Sequence, residues 1–408
     1  MKKLASALSL CALISQSFLH ALPPETAAAL TVPDLLVQVR AANPELRSAR
    51  RRLDEAEAAA VAAAAPLNPR LEAELGSGGN EFKLAQPLPL TRRAGTAGAA
   101  ARAGAGAAQK ELEALETRVL SAARSAWYEL RIAMERRVFE QSHLKSSMEI
   151  LGKIELRLQT GEAGNADLAR AKVEVARGRL HLQEAEAACG AAAGEANFLM
   201  GRAPDAPLEI ALDGAFSLAP SPSGLEPLEH YTRRALAGRA EPGALALRAR
   251  AAGLEAKLEK DRRIPVPEVG LIRGSDGGTG YSRLFLGLEL PLWYNNKGEI
   301  RAALARRATL DDEATRLELE IRREVYSAWL ELGLAQKRLS AARETVFLLN
   351  DLRRAASQAY LAGKTGLADF YETNRVFLEE NISYLDALKD YYGKAARLDA
   401  AVNSVEEK

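Results

Sequence analysis

The chain has 408 residues, 55 basic and 54 acidic side chains, and only 5% aromatics. That length ordinarily holds two or three globular units. The charge balance gives a nucleic-acid partner no support, and the many alanines with few aromatics point to long, closely packed helices.

The N-terminus reads as an export signal. Lys2 and Lys3 form a basic start, Leu4–Leu19 an apolar run, and Leu19-His20-Ala21 ends on a small residue. This three-part pattern predicts a signal peptide over residues 1–21. The run is too short for a spanning helix. Cys11 follows Leu10 inside the apolar run, which disfavours lipidation. Cleavage would take the net charge from +1 to +1 − 2 = −1 and leave Cys189 as the one cysteine, so no internal disulfide is expected. No later segment has about 18 consecutive apolar residues. An exported chain can still enter a membrane as a β-barrel.

From Pro33 to Ala65 the pattern is helical, and Pro66 and Pro69 end it. Leu71-Glu72-Ala73-Glu74-Leu75 then alternates strictly, as a strand does. A glycine-rich turn and the alternating Phe82–Gln86 follow, up to Pro87, giving one β-hairpin over 70–88. No proline interrupts Thr91–Leu158. That predicts a helix of about 64 residues, roughly 96 Å at 1.5 Å per residue. A tight turn at 159–166 leads into a helix from Asn165 to Met200. Its seam is Leu168, Ala171, Val175, Gly178, Leu182, Ala185, Cys189, Ala192, Ala196 and Leu199, in alternating steps of three and four, a coiled-coil repeat.

After a Pro/Ala/Ser-rich linker over 201–224 the series recurs. A helix is expected over Leu225–Arg263, broken by Pro265 and Pro267, and a second hairpin over 267–290, with Leu284, Leu286, Leu288 and Leu290 on alternate positions. A second long helix runs from Gly298 to Leu361, then a turn at 361–368, then a last helix to about Leu398. The offset is constant: 363 − 161 = 202 for the turn glycines Gly161 and Gly363, 369 − 167 = 202 for Asp167 and Asp369, and 329 − 127 = 202 for Trp127 and Trp329. A tandem duplication explains this, with units at 22–214 and 215–408. The fold class is therefore mainly α, long coiled-coil hairpins with a small β part.

Four strands cannot close a barrel, for which about eight is the practical minimum. Nothing in the chain is left over to cover their apolar positions. Oligomerisation into a shared barrel solves both problems; two chains would give eight strands and three would give twelve. Glu72, Glu74, Lys83, Arg283 and Glu289 would face a wet lumen, and Trp293 and Tyr294, just past the last strand, suit a membrane interface.

Few residues carry chemistry. Carboxylates at Asp167 and Asp369 are favoured by the helix dipole regardless of function. His20, His143, His181 and His230 lack metal-ligand spacing, so no metal site is expected. Cys189 falls on the seam as a core thiol, and Trp127 and Trp329 read as packing residues. No nucleophile, base and orienting residue occur together and no cofactor fingerprint appears, so neither enzymatic activity nor a cofactor is expected.

The duplicated layout, Asn43-Pro44-Glu45-Leu46, the strand exits Gln86-Pro87-Leu88 and Leu290-Pro291-Leu292, and the turns Gly161–Asp167 and Gly363–Asp369 together resemble the TolC-type outer membrane efflux channels. The resemblance covers nearly the whole chain after the leader, and the short hairpin turns are similar to the heavy-metal cation efflux branch. It implies a homotrimer with a twelve-stranded outer-membrane barrel and a periplasmic α-helical tunnel. It further implies a periplasmic adaptor protein and an inner-membrane pump of the RND type, with metal cations or small toxic compounds as cargo. By the same resemblance Asp369 and Glu372 would ring the gate, with Tyr360 and Thr365 on the gating links. Lys364 would stand in for the basic residue usual at Thr365. Gly161, Gly164, Asn165, Asp167, Gly363 and Gly366 would contact the adaptor. An outer-membrane duct for type I protein secretion and a periplasmic coiled-coil adaptor or spacer are the alternative functions.

Overall fold

The computed structural model describes residues 30–76, 79–210, 224–276 and 278–403; the expected signal peptide, Cys11 and His20 lie outside them. Twelve elements follow in the order α1 (Val32–Ala42), α2 (Pro44–Ala64), β1 (Arg70–Gly76), β2 (Gly79–Pro87), α3 (Arg93–Gln159) and α4 (Asn165–Leu199), then α5 (Leu228–Gly238), α6 (Glu241–Asp261), β3 (Pro267–Asp276), β4 (Thr279–Leu288), α7 (Lys297–Leu361) and α8 (Leu367–Ala401).

Two helices expected as single pieces are each split. The segment over Pro33–Ala65 breaks at Asn43, because Pro44 disfavours helical backbone at the residue before it. Asn43 caps α2 by accepting from the amides of Glu45 and Leu46, and its side-chain amide donates to the Leu199 carbonyl at 2.9 Å. One side chain thus joins the end of α4 to the start of α2, so the two run end to end beside α3. The segment over Leu225–Arg263 likewise breaks at Arg239–Ala240, just ahead of Pro242. Here Asn403, with φ +56°, donates to the Gly238 carbonyl at 2.7 Å.

The long helices α3 and α7 are the struts. One half of α3 packs between α2 and α6, the other between α4 and α8. Small residues let α2 come close: a Cβ on Gly98 would lie 2.6 Å from the Ala64 Cβ. Where α1, the start of α2, α3 and α4 meet, Leu35, Val39, Leu46, Ala123 and Ala196 form a core. Its counterpart is Ala235, Ile321, Val325, Ala328 and Leu398. Trp127 Nε1 donates to the Leu30 carbonyl and Trp329 Nε1 to the Glu226 carbonyl. Both indoles thus pin the segment entering their unit. The α4 seam is buried or half-buried at every expected position, with Cys189 in the core.

The hairpins join into one antiparallel sheet of order β1-β2-β3-β4. Directly opposed residues share a face, so the register sorts the side chains. Leu71, Leu84, Leu271 and Leu284 form a row across all four strands. Val269 and Leu286 continue that face, and no helix covers it: Leu284 is 91% exposed. Glu72, Lys83, Ile272 and Arg283 form the matching row on the other face. That face is tied by Lys83–Glu72 at 3.3 Å, by Lys83 over the Phe285 ring and by Tyr281 donating to Glu81 at 2.7 Å. Glu289 lies beyond β4, which ends two residues earlier than the expected Leu290. Substituting Gly98→Val should force α2 off α3 and cost about 1–3 kcal/mol by overpacking, read as a lowered thermal unfolding midpoint.

Candidate functional site at the helix turns

The candidate site is the pole opposite the sheet, where two turns of the same construction pack side by side. α3 ends in a left-handed glycine, Gly161 with φ +78°, and α7 in Gly363 with φ +70°. The amide of Glu162 bonds the Arg157 carbonyl at 2.8 Å, and that of Lys364 bonds the Ala359 carbonyl at 2.9 Å. These six-to-one bonds satisfy helix-end carbonyls that glycine alone lets the chain reach without strain. Gly164 and Gly366 are the N-caps of α4 and α8. The Asp167 carboxylate accepts from the Gly164 amide at 3.4 Å. Asn165 is the first residue of α4 and exposed.

An apolar cluster holds the turns together: Ile154 and Ala171 from the first hairpin, Leu367 and Phe370 from the second. Tyr360 stacks on Phe370 with ring centroids 5.2 Å apart, and the Arg157 guanidinium lies over the Tyr360 ring. Tyr360 is therefore a packed residue of the cluster. Tyr371 beside it was not expected. Its hydroxyl is buried with no hydrogen-bond partner among the described residues, and burial, aided by Glu174, pushes the phenol up to about 12. An aromatic pair, Phe370-Tyr371, in the first turn of a helix was the signal available.

Lys364 and Thr365 are exposed within the second turn, and Asp369 is exposed on the first turn of α8. Glu372 does not stand alone. Arg375 grips it at 2.6 and 3.1 Å and reaches Glu379 at 2.7 Å, which holds the Glu372 carboxyl below its usual range. Arg375 is the residue the sequence reading missed, although its spacing from both glutamates is that of helix-face ion pairs. At the other pole, Trp293 is 97% exposed, whereas the Tyr294 hydroxyl donates to Glu299 and accepts from the Gly298 amide. Tyr294 thus caps the start of α7 as well as facing solvent.

Between the poles, the fold brings together two histidines that the sequence left apart. His143 lies near His181, Ser147 and Asn374. Burial, His181 and Arg353 lower its pKa to about 4. The nearby Glu140 carboxyl is buried and raised. Among the described residues no group of three ligands could hold a metal ion.

Residues 233–404 match the family model described as outer membrane efflux protein. The chain is 22% identical over 391 residues to the cobalt-zinc-cadmium resistance protein CzcC of Cupriavidus metallidurans, covering 94% of this chain and 92% of the relative. Its fold resembles the Campylobacter jejuni outer membrane channel CmeC, with TM-score 0.75 and 15% identity, over 94% of this chain and 90% of that one. It resembles CusC, solved in a study of transmembrane channel formation, with TM-score 0.75 and 16% identity over 91% of each chain. The fold is that of these channels.

Two outcomes are expected. Because the unfolded His143 protonates near pH 6.5 and the folded one only near 4, the unfolded state binds more protons between these values. Stability should therefore fall as pH drops from about 6.5 to about 4. His143→Gln should flatten that slope in denaturant titrations. Separately, Arg375→Ala should raise the titration midpoint of Glu372, measured by carboxyl NMR.

Proposed function

We propose that this chain, which carries an outer membrane efflux protein domain over residues 233–404, is the outer-membrane duct of a tripartite efflux system. The observation that carries the reading is the sheet. It presents an uncovered leucine row at one pole of a helical body, with free edges at β1 and β4. A lipid-facing, closed barrel shared between copies satisfies both features. Three copies give twelve strands and a helical tunnel below them. The face bearing Glu72, Lys83 and Arg283 then lines a wet lumen, and Trp293 and Tyr294 stand at the membrane boundary.

In this reading residues 1–21 are the cleaved export signal, and the two units divide at 214/215, within the stretch 211–223 that the structure does not describe. The twin turns form the periplasmic tip. Gly161, Gly164, Asn165, Asp167, Gly363 and Gly366 present backbone and small side chains to an adaptor protein. Asp369 and Glu372 form the gate, flanked by Tyr360, Lys364 and Thr365, and Arg375 sets the charge that Glu372 shows to passing ions. The chain supplies a conduit and a gate; an inner-membrane pump of the RND type supplies the energy, and no catalysis is assigned to it. Similarity to a cobalt-zinc-cadmium resistance protein favours metal cations as cargo. A periplasmic spacer would have no use for an uncovered leucine row.

Extraction of the outer membrane in detergent should yield a particle of three copies by native mass measurement. Recovery as a soluble monomer would overturn the duct. In planar bilayers Asp369→Asn with Glu372→Gln should weaken cation preference and cation block; unchanged single-channel behaviour would remove both residues from the gate.

A further inference from the structure

The uncovered leucine face of the sheet carries a charge. Among the described strand residues on that face, Arg273 is the single charged side chain. The register fixes its place: Phe82 opposes it on β2 and Ser282 on β4. The Arg273 side chain is exposed and has no ion pair, ring contact or hydrogen bond among the described residues. The basic residues of the other face are all engaged. Arg70 reaches Glu268 at 3.5 Å, Lys83 pairs with Glu72, and Arg283 lies over the Tyr281 ring.

The strands also set its depth. On one side of Arg273 the leucine row lies two residues away, roughly 7 Å along the strand. Leu286 and Leu288 carry the apolar face on towards Trp293, and Leu288 stands 288 − 282 = 6 residues from the Arg273 row, roughly 20 Å along the strand. On the other side the next row holds Asn80, Ser275 and Gly280, and the hairpin turns follow. Arg273 therefore marks the point where this face changes from apolar to polar. With the helical body on the periplasmic side, that point is the headgroup level of the outer leaflet. A cation on a lipid face costs most at the bilayer midplane and least at this boundary.

We propose that Arg273, with Ser282 beside it, holds the phosphate group of an outer-leaflet lipid, one in each copy. A guanidinium presents paired N–H donors that match phosphate oxygens, and the exposed Ser282 hydroxyl adds a further donor. Gly280, in the next row, leaves room for a headgroup: a Cβ there would meet only the Gly274 carbonyl oxygen, at 3.9 Å. Arg273, Ser282 and Gly280 lie on the paired strands β3 and β4, so the site is complete within one chain. The occupant is a lipid rather than a soluble anion because the cation and the leucines form one continuous surface. A phosphate seated on Arg273 places its acyl chains over Leu271, Leu284 and Leu286, so charge and apolar area are covered together.

This site rests on the membrane-embedded duct of the preceding section, and its test separates the two. The full chain is extracted from outer membranes in mild detergent, and native mass measurement reads the lipid it retains when diphosphoryl lipid A or its dephosphorylated form is added. The unaltered chain should retain the phosphorylated lipid several-fold better, up to one per copy. Arg273→Gln should abolish that preference and Arg273→Lys should keep part of it. Gly280→Leu, which leaves the arginine in place and fills the space beside Ser282, should lower it several-fold. Arg283→Gln, on the other face, should leave it unchanged, as should an excess of inorganic phosphate. An intact oligomer whose Arg273→Gln form keeps the preference overturns the site while leaving the duct standing. Equal loss in Arg283→Gln, the mark of a net-charge effect, overturns it too, and displacement by inorganic phosphate overturns a lipid as the occupant. Recovery as a soluble monomer defeats the duct and this site with it.

Discussion

Leu71, Leu84, Leu271 and Leu284 stand in a row that no other part of the described residues covers, and the sheet bearing them ends, among those residues, in two unpaired edges. Exposed leucines and free edge strands both call for partners in water. No helix packs on this face, and α3 is packed along both halves of its length by other helices. The sheet therefore has to complete itself with lipid and with other copies.

Duplication sets the geometry. Trp127 and Trp329 hold their entry segments through the same bond to a backbone carbonyl, and Asn43 and Asn403 join helix ends in the same place with side-chain amides. The copies differ where the chain meets itself. The Tyr128–Tyr392 stack fills the internal seam with two rings, while the equivalent positions leave a leucine and a glycine exposed. Each unit thus gives one helix, α3 or α8, to the internal seam and leaves the equivalent surface of its other helix, α4 or α7, exposed.

The turn cluster shows how charge and packing divide the labour. Ile154, Ala171, Leu367 and Phe370 fix the two hairpin ends against each other, so the exposed carboxylates of Asp369 and Glu372 sit on a defined frame. Arg375 then offsets part of that negative charge through two short contacts with Glu372.

Local periodicity and turn chemistry determined much of this protein. The alternation of Leu71–Leu75 and Leu284–Leu288, the three-four seam of α4 and the glycines of both turns were legible because each is a pattern among residues close in sequence. The break at Asn43 was legible too, in Pro44, but a run of helix-forming residues on either side obscured it. Only the tertiary structure decided that β2 pairs with β3 across the whole of α3 to α6, that Tyr360 stacks on Phe370, that the Tyr371 hydroxyl is buried and that His143 lies near His181. Those facts depend on which distant surfaces meet. Sequence spacing fixes the face a residue occupies on its own helix or strand; the neighbour on that face is set by how the long helices cross and align.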